Sequence, residues 1–527
     1  MALFGSLLAS LAAALSIALL CGLDAYSGVE ARRTFPTRDQ IQARQLEAAK
    51  RYNVNNLLKA QQFPKNELFV ASNAGASGPS ASVQNITFKN PLASHFWVNG
   101  TSIPFVDWDV GPSWAGLLPI SSAANETRKL FFWFFPPAEG GSLDDLILWT
   151  NGGPGCSSLL GLLQENGPIS WQHGQAKPTP NQYSWTKISS MLWVEQPVGT
   201  GYSQGTPTAQ NEEDVAAQLV GFLKQFLHVF SELKGKKFYL TGESVRIFTR
   251  RHYPMFTKTF GNIADYIYTH PTLLDLELQG IWMGDPVIGW FVTQEQIPAV
   301  DFVHKYEHVF AFNQTFLKYL DDTALKCGYT GYQQKYATYP PKGPLPLPGH
   351  DTFADPGCDV WDDIFNAVLI VNPAFNCTGS LTSIRCYGTF LVSRDGSFFA
   401  LQTTPTYFDR LDVKQAIHAP LNSTWQICTD INVFPNGDAS LPPTFTVLPN
   451  VIEKSKKAII MHGLADYVLI ADGMTWAGKQ GFQTPIANDS FIVDGIGALG
   501  TVHEERGFTY YEVVLSGHMF VFAFIPI

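Results

Sequence analysis

Two short apolar runs with an amphipathic segment between them constrain the fold of this chain more than any other feature. Met191 to Glu195 and Lys237 to Thr241 read as buried strands. Between them, about Glu212 to Phe230, apolar residues recur at Val215, Leu219, Phe222, Leu223, Phe226 and Phe230, behind an acidic first turn of Glu212, Glu213 and Asp214. Such a turn complements the positive N-terminal end of a helix dipole. Strand, helix and strand in succession predict an α/β fold with a mostly parallel central sheet and helices on both faces. Further strands are expected at Phe131 to Phe135, Leu146 to Thr150, Gly280 to Gly284, Ala458 to Met461 and Tyr510 to Leu515. The region at about 287–404 holds a Pro- and Gly-rich passage from Tyr339 to His350 and reads as a large insertion, a cap over one end of the sheet.

The run ending at Trp149 empties into Asn151, Gly152, Gly153, Pro154, Gly155, Cys156, Ser157 and Ser158. Backbone N–H groups in such a turn can face an oxyanion, although a plain tight turn also uses these residues. The oxyanion reading needs a nucleophile, and Lys237 to Thr241 leads into one. Gly242, Glu243 and Ser244 begin a G-x-S-x-G elbow, which holds a serine on a sharp strand-to-helix turn. Hydrolases with that elbow place an acid and then a histidine downstream. Asp466 and His518 occur in that order, each in a loop after an expected strand. The histidine would take the serine proton, and the aspartate would hold the imidazole in one tautomer.

Composition narrows the setting. Charged residues are 15% of the 527, below the usual ~25%, so neutral polar groups or glycans must cover the surface. Sequons N-x-S/T occur at Asn85, Asn99, Asn125, Asn313, Asn376, Asn422 and Asn488. The N-terminus is apolar from Met1 to about Cys21 and then turns small and polar, as in a signal peptide over residues 1–25. A polar arm, helical or propeptide-like, follows over 26–65, and the main domain is expected over 66–527. These features predict a secreted or vacuolar/lysosomal protein that keeps no stable membrane span after signal cleavage. With a net charge of −10 and no basic cluster, nucleic acid is not expected as a partner. Without Cys21 the cysteines form an even set, Cys156, Cys327, Cys358, Cys377, Cys386 and Cys428, suited to pairing in an oxidising lumen. No C-x-x-C spacing occurs, so structural disulfides are favoured over zinc, and no metal or cofactor is expected.

Several motifs taken together resemble the serine carboxypeptidases. They are Trp149 to Ser158, Glu165-Asn166-Gly167-Pro168, the run Trp193 to Ser203, Thr241 to Ser244, and Gly517-His518-Met519. Smaller echoes lie at Tyr407 to Pro420, with Asp412, Val413, Lys414, Ala416, Ile417 and His418, and at Met474 to Gly481. The resemblance implies an α/β-hydrolase fold and an exopeptidase whose substrates are peptide or protein C-termini. It implies Ser244 as nucleophile, Asp466 as acid and His518 as base, with an oxyanion hole from the N–H groups of Gly153 and Val245. Asn151, Glu165 and Glu243, backed by Trp149, would bind the terminal carboxylate, and Leu469 and Met519 would lie near the triad. It also implies a bridge from Cys156 to Cys428. The other four cysteines have three possible pairings, among them a nested one of Cys327 with Cys386 and Cys358 with Cys377.

The chain departs from the family pattern at two places. The small residue expected two places after the serine is Arg246, and the stretch from Val245 to Pro254 is longer than the pattern by about three residues. After Met519, Phe520 to Ile527 leaves the pattern where a further helix is expected. Three readings follow: an active carboxypeptidase with an unusual elbow, a catalytically impaired peptide-binding relative, or a mis-spliced coding sequence that reads through intron near Val245 and Phe520.

Overall fold

The computed structural model of the chain describes residues 86–138, 141–171, 175, 177–244, 259–343, 345–348, 356–371, 406–473, 482–485, 489–493 and 496–518. The expected signal peptide and arm, Val245 to Pro254, Met474 to Gly481 and Met519 lie outside these residues, as do Asn85, Asn376, Asn488, Cys377 and Cys386.

Thirteen strands occur among the described residues: β1 (Trp97–Val98), β2 (Ser113–Pro119), β3 (Lys129–Phe135), β4 (Asp145–Asn151), β5 (Ile169–Ser170), β6 (Thr179–Pro180), β7 (Ser190–Glu195), β8 (Lys237–Glu243), β9 (Glu277–Gly284), β10 (Lys457–Gly463), β11 (Asp489–Val493), β12 (Gly497–Glu505) and β13 (Phe508–Val513). Eleven of them form one sheet in the order β1-β2-β3-β7-β4-β8-β9-β10-β13-β12-β11, and β5 pairs with β6 apart from it. The run from β7 through β4, β8, β9 and β10 to β13 is parallel throughout.

Period-2 alternation divides each central strand between two cores. In β3, Phe132 and Phe134 face one layer with Leu146 and Leu148 of β4 and the helix residues Phe222 and Phe226. Phe131, Trp133 and Phe135 face the other, with Ile147, Trp149 and Trp193. Being buried on both faces is why these strands read as unbroken apolar runs in the sequence. The crossover helix between β7 and β8 spans Glu212–Val229, and the Asn211 side chain caps it by accepting from the Asp214 N–H at 2.9 Å.

The margins of the sheet are antiparallel, a feature the strand-helix alternation does not reveal. β1, β2 and β3 join β7 through antiparallel pairings on one side, and β12 and β11 do so beyond β13 on the other. A two-residue turn explains the second margin: Arg506 and Gly507 take φ values of 55° and 79°, which reverses the chain tightly between β12 and β13. At its other end β13 stops at Val513 rather than at Leu515, which takes a left-handed φ of 55°.

The described part of the 287–404 region is largely helical, with Ile297–Lys305, Gln314–Lys326, Tyr332–Tyr336 and Val360–Val371. Here the nested cysteine pairing is corrected, because Cys327 is bonded to Cys358. Cys327 closes the helix Gln314–Lys326, and Cys358 stands just before Val360–Val371. Both helices pack on Ile297–Lys305, which brings the two sulfurs together. Among the described sequons, Asn99, Asn125, Asn313 and Asn422 are exposed. No described helix is long and apolar enough to cross a membrane.

Candidate active site

Four neighbouring parallel strands, β8, β9, β10 and β13, end together, and the sequence-assigned triad lies just past three of them. Ser244 follows β8 with φ 43°, in the left-handed region that costs a non-glycine residue on the order of 1–3 kcal/mol. Its N–H donates to the Gly284 carbonyl at 2.9 Å, which fixes the bend against β9, and the residue remains half-buried. Asp466, fully buried, lies in the turn after β10, where its N–H donates to the Gly463 carbonyl at 3.1 Å. Asp466 Oδ1 accepts from the Val468 N–H at 2.7 Å, and Oδ2 accepts from His518 Nδ1 at 2.6 Å. His518 is itself buried and follows β13. With Nδ1 committed to the aspartate, the neutral ring presents Nε2 as its acceptor.

Past β4 the glycine turn is held in place. Gly153 has φ 119°, and a Cβ there would stand 2.7 Å from the Gly155 nitrogen, so only glycine fits. Cys156 is bonded to Cys428, and two backbone bonds flank that bridge: Ser157 N–H to the Ile427 carbonyl at 2.6 Å and Thr429 N–H to the Gly155 carbonyl at 2.9 Å. Replacing Cys428 with Ser is therefore expected to lower kcat/KM ~10–100-fold, the scale of a misplaced reacting group. If kcat/KM is unchanged in that variant, the two backbone bonds alone suffice to hold the turn.

Beside the turn, Asn151 Nδ2 donates to Glu243 Oε1 at 2.9 Å and to Glu165 Oε1 at 3.3 Å. Its Oδ1 accepts from Trp149 Nε1 at 2.9 Å and from the Gly161 N–H at 3.1 Å, so the amide has one orientation. A Cβ on Gly161 would stand 2.2 Å from Trp149 Nε1, which makes glycine the condition for this approach. Trp149 is in turn stacked on Trp282. All three polar residues are buried. Burial, and next the charge of Glu165, push the Glu243 carboxyl well above its ordinary range.

Three buried groups here escaped the sequence reading. Asp285, directly after β9, and His462 on β10 lie against the Asp466 turn, and neither belongs to a motif. Glu195 lay inside a motif but had no assigned role. Its carboxyl contacts the Ser157 hydroxyl, the Tyr202 N–H and Trp425 Nε1, which ties the glycine turn to β7 from beneath. Leu469 is buried, and its carbonyl accepts from His462 Nε2 at 2.6 Å.

Comparison with known proteins agrees with this architecture. The serine carboxypeptidase family profile matches residues 108–337 and 367–523. A protein of Arthroderma benhamiae named "Probable serine carboxypeptidase" is 42% identical over 460 residues, covering 82% of this chain and 84% of that protein. Serine-type carboxypeptidase F of Aspergillus niger is 37% identical over 481 residues, covering 84% and 88%. Among solved structures, the prohormone-processing carboxypeptidase Kex1(Δ)p of Saccharomyces cerevisiae superposes with a TM-score of 0.59 at 20% identity, over 82% of this chain and 93% of that one. The fold is that of an α/β-hydrolase, and the chain belongs to the serine carboxypeptidase family.

Proposed function

We propose that this chain is a serine-type carboxypeptidase that releases C-terminal residues from peptides at acidic pH through an acyl-enzyme on Ser244. His518 Nε2 takes the Ser244 proton as the hydroxyl oxygen attacks the scissile carbonyl, and Asp466 stabilises the imidazolium that forms. The N–H groups of Gly153 and Val245 receive the oxyanion. His518 then returns the proton to the departing amine, and water repeats the sequence to free the shortened peptide. Passage through the secretory pathway to a vacuolar, lysosomal or extracellular site fits the exposure of Asn99, Asn125, Asn313 and Asn422.

The observation that carries the exopeptidase reading is the buried set of Asn151, Glu165 and Glu243. Two carboxyls facing a substrate carboxylate repel it when charged, so one must hold a proton and donate a hydrogen bond. Glu243, raised by burial and by Glu165, is suited to that role. Peptides with a free C-terminus are expected to lose one residue at a time, while the matching C-terminal amides react poorly. Equal kcat/KM for acid and amide would remove the carboxylate assignment.

The sign of the pH effect follows. A carboxyl with a raised pKa is a donor at acid pH and becomes a repelling anion as pH rises through that pKa. KM for an N-acyl dipeptide is therefore expected to climb between acid and neutral pH, and Glu243→Gln is expected to flatten the climb. A wild-type KM that is level over this range would refute it.

One observation favours a second reading, a catalytically impaired peptide binder: Arg246 stands where the elbow pattern has a small residue. A fluorophosphonate probe separates the two. Labelling at Ser244 supports the enzyme, whereas a folded chain that binds peptide, resists the probe and gains labelling on Arg246→Gly supports the impaired form.

A further inference from the structure

The strand between the nucleophile's and the acid's carries a third carboxyl. Asp285 follows β9 with φ 43°, its N–H donates to the Met461 carbonyl of β10 at 2.9 Å, and it is fully buried. Its Oδ1 accepts from the Gly463 N–H at 2.8 Å, at the base of the turn that carries Asp466. A carboxylate oxygen of Asp285, one of Asp466 and a ring nitrogen of His518 all lie within 4.8 Å of one another.

No described Lys or Arg pairs with Asp285, and His462 does not replace one. His462 Nε2 lies 3.4 Å from Asp285 Oδ1 but donates to the Leu469 carbonyl at 2.6 Å. Burial lowers the pKa of that imidazole and so disfavours its charged form. Two adjacent buried carboxyls without a cation do not both ionise. Asp466 receives the N–H groups of Val468 and His518, whereas Asp285 receives that of Gly463, so the charge belongs on Asp466. Burial and the Asp466 charge also hold Asp285 well above the ordinary carboxyl range.

We propose that Asp285 is a positioning residue of the active site: while uncharged it holds the Gly463-to-Asp466 turn and the Asp466 carboxylate against His518, and its ionisation disrupts that alignment. The groups facing it are His462 on β10, Asp466 after β10, His518 after β13, Tyr510 on β13, Glu243 on β8, and Glu165 beyond the glycine turn. The proposal rests on the triad reading above. It acts on kcat, whereas the Glu165 and Glu243 pair acts on KM.

The test uses Asp285→Asn, which keeps an acceptor for Gly463 and a donor toward Asp466, and Asp285→Leu, which keeps neither. The downfield proton resonance of His518 Nδ1–H and the fluorophosphonate labelling rate of Ser244 are followed with kcat and KM from pH 4.5 to 8.5. In wild type the resonance and kcat are expected to change together on the alkaline side. Asp285→Asn is expected to retain kcat at acid pH and lose the alkaline change, and Asp285→Leu to lower kcat ~100-fold with little effect on KM. Superimposable profiles for wild type and Asp285→Asn overturn the proposal, as does an undiminished kcat in Asp285→Leu. A missing His518 resonance in wild type overturns the triad reading instead. If wild-type turnover is too slow to measure, the pH course of the resonance in wild type and Asp285→Asn decides.

Discussion

Ser244→Ala is expected to lower kcat for C-terminal residue release by roughly 10⁴–10⁶-fold while KM and folding change little. The size follows from what is lost and what stays. Without the hydroxyl no acyl-enzyme forms, and His518 has no oxygen to deprotonate. The glycine turn proposed for the oxyanion remains, as does the Asn151, Glu165 and Glu243 set proposed for the peptide terminus. The residual rate is then the ~10³–10⁴-fold acceleration over water that binding and oxyanion stabilisation supply alone. His518→Ala is expected to cost a similar factor, and the double variant no more than either single one, because serine and histidine act as one unit. Release of the C-terminal amino acid from an N-acyl dipeptide measures all three. A double variant slower by the product of the single losses would mean that the two residues act independently.

The sequence discloses those parts of this molecule that repeat a local pattern. Buried parallel strands need continuous apolar runs, so Leu146 to Thr150, Met191 to Glu195 and Lys237 to Thr241 lie inside the observed strands. The helix after Asn211 is equally plain, because its capping residue and apolar stripe are both local. The antiparallel margins are not, since β11 is partly exposed and lacks a strong apolar pattern. Chain order alone suggests Asp466 and His518, and the 2.6 Å bond between them is a long-range contact that no local pattern encodes. Asp285, His462 and Glu195 stayed silent for the same reason. A single acid or histidine after a strand becomes informative only when the neighbouring strand shows what it touches. The nested cysteine pairing failed on similar grounds, because helix packing, not spacing, brings Cys327 to Cys358.

Stability is expected to fall as pH rises from about 5 to 8, the reverse of the usual behaviour of carboxylates paired with cations. Glu195 supplies the clearest contribution. Burial raises its carboxyl from an ordinary 4.5 to about 7, although Ser157, Tyr202 and Trp425 oppose the rise. The folded chain therefore holds that proton more tightly than the unfolded chain does. The stabilisation is complete below the unfolded value and is lost as pH passes the folded one. The difference amounts to about 3 kcal/mol, which for a chain of this size lowers Tm by on the order of 3 °C. Glu243 and Asp285 are raised as well, so they act in the same direction. His462 opposes them, since its pKa is lowered by burial and it disfavours folding as acid charges the unfolded imidazole. Three carboxyls against one histidine leave the acid side favoured. Scanning calorimetry across this range in wild type and Glu195→Gln separates the contributions, because the amide keeps an acceptor for the Tyr202 N–H and does not titrate. The variant is expected to show the shallower fall in Tm, and equal slopes would remove Glu195 as a cause. Because Ser157 belongs to the glycine turn, the same titration is expected to loosen the support of Gly153, beside the proposed effects of the Glu165 and Glu243 pair on KM and of Asp285 on kcat.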